Sequence, residues 1–411
     1  MPWMETRVSD HRMRFIVEYG CQDESMAQLC RQYGISRKTG YKWLRRWQAD
    51  GPGGLEDHSR APQHHPRRVS VEHVAKILEL RDRYGWGPKK LLALLKGQGP
   101  QIQWPAISTM EQILKDCGRI IPRKTRRRVP PQSQPLAHAT GSNTVWAVDF
   151  KGHFLTGDGQ RCHPLTISDA YSRYLLRCQG LQQTGYEAVR PIFELAFREY
   201  GLPAAIRSDN GSPFASRAVA GLSRLSLWWI KLGITPDRIE PGHPEQNGRH
   251  ERMHLTLQQS TASPPAGTFR KQQARFDGFR EEFNGIRPHE ALGMRTPGSC
   301  YVASMRPYPA REPEMVYEAD WTVRRVQKRG EFYWRSRPVV LSEVLAGEPV
   351  GLQPCDGRYW RAYYGPAWLG VFDGHQGRML SAAEVRRHAD LAPVVPAVRP
   401  SAALQDEPPG E

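Results

Sequence analysis

Residues 144–151 read TVWAVDFK and residues 204–211 read AAIRSDNG. Each is a short apolar run that closes on an aspartate: Asp149 in the first, Asp209 in the second. Such runs read as buried strands. A carboxylate inside an apolar strand is costly to bury unless it is paired or bound to metal. A strand end presents its ligand at the edge of a sheet. Between the two aspartates, RCHPLTISDA (161–170) and YLLRCQGL (174–181) read as two more strands, and YEAVRPIFELAFREYG as a helix ending at Gly201. ASRAVAGLSRLSLWWIKLG (215–233) reads as a second helical segment, with a short strand near Ile239 after it. GRHERMHLTLQQS (248–260) reads as a third helix and carries Glu251. Three strands followed by alternating helices and strands indicate an α/β layer domain with a mixed sheet over 136–302.

Three carboxylates from three separate elements can hold two divalent cations. Hard Mg²⁺ or Mn²⁺ prefers such oxygen donors. Two ions would activate an attacking oxygen and stabilise a leaving oxygen in phosphoryl transfer.

The chain is basic: 58 Lys and Arg against 42 Asp and Glu, a net charge of +16 over 411 residues. Of this, +12 falls within residues 1–131. A positive field concentrated in one third of a chain points to a polyanion. That third reads as helices. SMAQLCRQYG (25–34), a turn at Gly34, and SRKTGYKWLRRWQ (36–48) with Ser36 as N-cap follow the helix-turn-helix pattern. Arg37, Lys38, Lys42, Arg45 and Arg46 on the second of these helices are its DNA-contact candidates. Tyr41, Trp43, Leu44 and Trp47 are expected to pack the domain, assigned to residues 1–52. A Gly/Pro/His linker follows over 51–69. VEHVAKILELRDRYG (71–85), a helix opened by Pro88 and a third from Ile107 make a second helix-turn-helix-like unit over 70–120. Residues 121–135 form a basic, Pro-bounded linker whose Arg126, Arg127 and Arg128 can track phosphates.

From about 315 to 387 the pattern changes to short strands with aromatics (TVRRVQ, EFYWRS, PVGLQP, RYWRAYY), a small β-rich domain. Residues 388–411 are Ala/Pro-rich and expected to be disordered. Seven cysteines lie scattered without a Cys-x-x-Cys pair, which argues against a zinc finger or redox dithiol and fits reduced thiols. The first residues lack the apolar core of a signal peptide, and no apolar run approaches a membrane span. A cytoplasmic protein is expected.

WAVDFKG (146–152), RSDNGSPF (207–214) and PGHPEQNGRHER (241–252) together resemble the core of the retroviral-integrase-like DDE transposases of bacterial insertion sequences. FNGIRPHEALGMRTPGSCY (283–301) resembles their post-catalytic helix and tail. The resemblance covers roughly 140–302. It implies an RNase H-like fold with a mixed five-stranded sheet, dependence on Mg²⁺ or Mn²⁺ with two ions per site, and cleavage plus strand transfer at element ends. It further implies double-stranded DNA partners, both terminal inverted repeats and target, and a dimer or larger assembly. The motif register makes Glu251 the third carboxylate. The 35-residue spacing common in related integrases lands instead on Glu245, in a Pro-flanked loop. Asn210, Gln246, Asn247, Lys151 and Arg249 are candidate DNA contacts around the triad. Asn210 also suits a left-handed turn, and Gln246 and Asn247 suit N-capping. Asp158 and Asp169 read as a turn acid and a strand-end acid; Trp146, Phe150, Trp228 and Trp229 read as core.

Two other readings compete. One is a DNA-binding regulator derived from a transposase that has lost catalysis. The other is a zinc metalloprotease, because His250-Glu251-Arg252-Met253-His254 matches His-Glu-x-x-His. No third ligand pattern follows it, and the aspartate motifs have no role in that chemistry.

Overall fold

The computed structural model describes residues 8–57, 68–120, 136, 138–216, 218–240, 248–387 and 389–391. Arg126, Arg127, Arg128, Glu245, Gln246, Asn247, the 121–135 linker and residues 392–411 lie outside them. The chain divides into two compact units, Met1–Val71 and Glu72–Glu411.

In the first unit, α1 (Val8–Gly20), α2 (Met26–Gln32) and α3 (Arg37–Asp50) enclose a core of Phe15, Ile16, Met26, Leu29, Cys30, Trp43 and Leu55. The turn between α2 and α3 runs through Gly34 at φ +65°, a left-handed conformation that glycine adopts without a Cβ penalty. Ser36 then caps α3 by accepting the Thr39 N–H at 3.1 Å. Gly40 permits the close crossing: a Cβ there would stand 2.6 Å from Cys30 Sγ. Trp43 is buried as expected, whereas Tyr41 is 48% exposed, on the outer face of α3.

The second unit begins with α4 (Val71–Tyr84), α5 (Pro88–Gln98) and α6 (Ile107–Asp116) around Ile77, Leu80, Trp86, Leu91, Leu95, Met110 and Leu114. Its central sheet comprises β1 (Val145–Phe150), β3 (Arg161–Asp169), β4 (Leu175–Leu181), β5 (Ala205–Ser208) and β6 (Thr235–Arg238), with the two-residue β2 (Phe154–Leu155) pairing the start of β3. The strands run in the order β4-β3-β1-β5-β6. β3 is antiparallel to β1 and β4, while β5 is parallel to β1 and β6. The sheet is therefore mixed, with five principal strands.

Side-chain alternation separates two faces. Trp146, Val148, Leu165, Ile167, Leu176 and Ile206 pack under α7 (Tyr186–Tyr200) and α8 (Arg224–Lys231). The opposite face meets α9 (Gly248–Thr261) and α10 (Phe269–Gly285) through Cys162, Leu175, Cys178, Leu257, Phe276, Phe279 and Phe283. α10 also protects the edge strand β4. Asn284 brackets Leu175, accepting its N–H at 2.8 Å and donating to its carbonyl at 3.0 Å, and Gln273 serves Gly180 N–H and Cys178 O.

The helical segment expected over 215–233 is shorter. Ala220 (φ +52°) and Gly221 (φ +67°) break it, and Ser223 caps a helix that starts only at Arg224. α8 buries six successive residues, Leu225 to Ile230, because it serves two cores. Trp228 and Trp229 face the central sheet. Leu227 and Ile230 face a C-terminal β region of β7 (Thr322–Arg325), β8 (Glu331–Trp334), β9 (Arg337–Val340), β10 (Pro349–Pro354), β11 (Tyr359–Tyr364), β12 (Ala367–Asp373) and β13 (Arg378–Met379). Five of these strands order as β13-β12-β11-β10-β7, with β8-β9 as a separate hairpin. Lys231 of α8 pairs with Glu348 at 2.6 Å at the same junction. No helix of the described residues is long and apolar enough to cross a membrane.

Candidate active site

The parallel β1–β5 ladder ends at the pair Ala147–Arg207. Asp149 lies two residues further along β1, and Asp209 two residues further along the chain, just past Ser208 at the end of β5. Period-two alternation puts Asp149 on the face covered by α9, the face of its partner Thr166. Asp149 also pairs directly with Thr166 of β3. Asp209 Oδ1 accepts the Gly211 N–H at 3.1 Å, which holds the turn after β5. Asn210 donates to the Ile239 carbonyl at 2.9 Å and ties the ends of β5 and β6 together.

One step back along the strands, on the same face, Arg207 is 7% exposed and forks onto Asp237 at 2.8 and 3.3 Å. A buried pair of this kind is costly to break from either side.

α9 docks on this face through two imidazoles. His250 and His254 are each 4% exposed. Their Nε2 atoms converge on Thr166 Oγ1 at 3.1 and 2.7 Å, and the same hydroxyl lies 3.2 Å from the Asp149 carbonyl. Thr166 has one proton to give, so at least one imidazole donates its Nε2–H to the threonine oxygen. Burial pushes both histidines down, His250 to about 4 and His254 further, so both are neutral at physiological pH. His254 Nδ1 stands 3.8 Å from Asp149 Oδ2, too long for a direct hydrogen bond but close enough to wall in the carboxylate. Thr166→Val keeps the shape and removes the shared partner. We expect it to destabilise the protein by about 1–3 kcal/mol, read by urea denaturation. A variant as stable as the parent would show that this junction does not hold α9.

Glu251 is in the first turn of α9 and is exposed. The helix register explains why. Successive residues are about 100° apart, so the turn that buries His250 and His254 directs Glu251 to the flank. Among the described residues no three His, Cys, Asp or Glu side chains are grouped to hold a metal. Asp149 and Asp209, each two residues beyond one ladder pair, suit a shared hard cation; in this conformation the glutamate does not join them. The metalloprotease pattern fares differently. Its histidines spend their Nε2 atoms on a threonine inside the protein, and its glutamate faces away.

Of the remaining candidates, Lys151 follows β1 and lines a small cavity of about 110 Å³ with Leu257 and Gln258 of α9. Arg249 is on α9. Arg37, Lys38, Lys42 and Arg45 are exposed along α3. Arg46 is instead turned inward: it donates to the Glu56 carbonyl at 2.8 Å and lies 4.8 Å from the Trp43 ring centroid. Asp169 is fully buried and structural, accepting from Asn143 N–H and from Ser172. Sequence reasoning missed Thr166 and Asp237. For Thr166 the available signal was a polar residue within the apolar run of β3; β6, TPDR, offered none for Asp237.

Comparison with known proteins matches these parts. Residues 139–244 and 232–297 match models of the integrase core domain. Residues 11–63 match a helix-turn-helix domain and residues 39–114 a homeodomain-like domain. An uncharacterized 31.7 kDa protein of insertion element IS407 from Burkholderia multivorans is 26% identical, the match covering 58% of this chain and 83% of that one. A 39.2 kDa protein of insertion element IS476 from Xanthomonas euvesicatoria is 30% identical over 56% of this chain and 65% of its own length. Among solved structures, a chain of the simian T-cell lymphotropic virus intasome aligns with TM-score 0.36 and 14% identity, covering 71% of this chain and 95% of that chain.

Helix-turn-helix DNA-binding units ahead of an integrase core domain define the class. Residues 139–297 are similar to integrase core domains, and the chain is similar to proteins of the bacterial insertion elements IS407 and IS476.

Proposed function

We propose that the protein binds the terminal inverted repeats of an insertion sequence and catalyses metal-dependent cleavage of their ends and transfer to target DNA. The observation that carries this is that Asp149 and Asp209 each follow the same ladder pair, Ala147–Arg207, by two residues at the carboxyl ends of adjacent parallel strands, with Asp149 on the face closed by α9. Asp149 and Asp209 would hold Mg²⁺ or Mn²⁺, with Glu251 as the third carboxylate and room for two ions. Bound cations supply Lewis-acid activation of the attacking and leaving oxygens. Water and then a 3′-hydroxyl serve as nucleophiles.

The chain's own residues supply position. Thr166, His250 and His254 fix α9 over the aspartates and shield Asp149 from solvent. Residues 1–52 and 70–120 read the DNA, with Arg37, Lys38, Lys42 and Arg45 along α3 as contacts. Residues 136–302 carry out the chemistry, and 315–387 form the β-rich part docked on α8. Joining two ends calls for two or more copies on double-stranded DNA, acting in the bacterial cytoplasm at the nucleoid.

The exposure of Glu251 favours one second reading, a regulator that binds DNA without cutting it. A labelled element end incubated with the full chain separates the two. Nicking and joining with Mg²⁺ or Mn²⁺, abolished by chelation, supports the transposase; binding without nicking under either ion supports the regulator.

A further inference from the structure

Two arginines from separate elements lie within electrostatic reach of Lys90, where Arg287 packs on Trp86 just ahead of α5. Lys90 is on α5, Arg252 on α9 directly after Glu251, and Arg287 two residues past the end of α10. Lys90 and Arg287 are half-buried, and Arg252 is exposed. The guanidinium of Arg287 lies 5.5 Å from the ring centroid of Trp86, which accounts for its position by packing. Nothing comparable accounts for the other two. Among the described residues none of the three has a carboxylate in ion-pair contact. Glu282 and Glu290 are near enough only to act at a distance. Burial, with Arg287 adding to it, lowers the Lys90 ammonium to about 8.

His289 sits in the same place, with its ring 4.7 Å from Phe283 and its Nε2 buried without a hydrogen-bond partner. Burial and the positive charges of Lys90, Arg287 and Arg173 hold it down to about 3. Like charges gathered at a partly desolvated junction oppose the fold unless an anion completes it.

We propose that Lys90, Arg252 and Arg287 clamp backbone phosphates of the DNA, guiding the strand from the 70–120 helical unit along α9 to Glu251. This rests on the DNA-processing function above and names the surface that delivers the substrate. Arg252 directly follows Glu251, so phosphates held here lie beside the catalytic helix. A phosphate contact contributes affinity without sequence preference, and its signature is salt dependence.

The test is fluorescence anisotropy of the full chain on a labelled mixed-sequence duplex over a KCl series. Neutralising all three (Lys90→Gln, Arg252→Gln, Arg287→Gln) is expected to reduce the slope of log K against log salt by about 2 to 3, near 0.9 per contact. Lys90→Arg is expected to retain the parent slope. Without DNA, Lys90→Gln is expected to melt no lower than the parent, since it removes repulsion. Should the triple variant not fold, Arg252→Gln alone decides, because its side chain is exposed; the expected loss of slope is about 0.9. A parent that binds duplex while these variants keep its slope overturns the clamp and leaves the function standing. A parent that does not bind duplex overturns both.

Discussion

Asp149→Asn is expected to cut strand transfer on the order of 10³-fold or more while duplex affinity stays within about twofold of the parent. Asp209→Asn should do the same. The substitution keeps size and hydrogen-bonding shape but removes the charge that a divalent cation requires. Asp149 sits at the end of β1 under α9, and the exposed basic residues of α3 belong to a separate unit, so DNA affinity and chemistry should separate. A gel assay for joined products, run beside an anisotropy titration, reads both. Retained strand transfer in either variant would remove that carboxylate from the mechanism. Loss of binding together with activity would place it in DNA recognition instead.

Trp229→Ala carries the largest expected cost in stability. Trp229 is fully buried on the face of the sheet opposite the site, with Phe193 at 5.2 Å edge-on and Phe214 stacked at 6.4 Å. Removing a buried indole leaves a cavity that rigid neighbours cannot close. The loss is roughly 3–5 kcal/mol, a large fraction of an ordinary domain's stability. Chemical denaturation monitored by fluorescence would show it as a lower midpoint. A change under about 1 kcal/mol would mean the two-tryptophan helix is not the keystone of this layer.

Much of this architecture was legible in the sequence because it is local. VWAVDF shows its strand and its anomalous carboxylate within six residues, and Ser36 announces the start of α3 by side-chain chemistry alone. The aspartates were legible as carboxylates closing apolar runs. The parallel pairing of those two runs was not, since it joins residues about sixty apart and leaves no periodic trace. The docking of α9 was hidden for the same reason. His250 and His254 at helical spacing resembled a zinc motif, and only the folded chain reveals Thr166 beneath them. Arg46 read as a DNA contact because a basic helix shows charge but not which charges the protein itself uses. The late start of the helix in the 215–233 segment turned on backbone angles at Ala220 and Gly221, which composition does not encode. The 215–233 segment read only as helical. Two faces of α8 belong to two cores, so the C-terminal β region and the central sheet pack on the same helix.

Anomalous scattering from Mn²⁺ in crystals of the full chain bound to a DNA end would decide the main question. The expected result is an ion joined to the carboxylates of Asp149 and Asp209, at oxygen distances of about 2.0–2.2 Å, with α9 shifted so that Glu251 completes the set. Manganese absent from both aspartates, or bound there with Glu251 still facing solvent and another acid in its place, would contradict it.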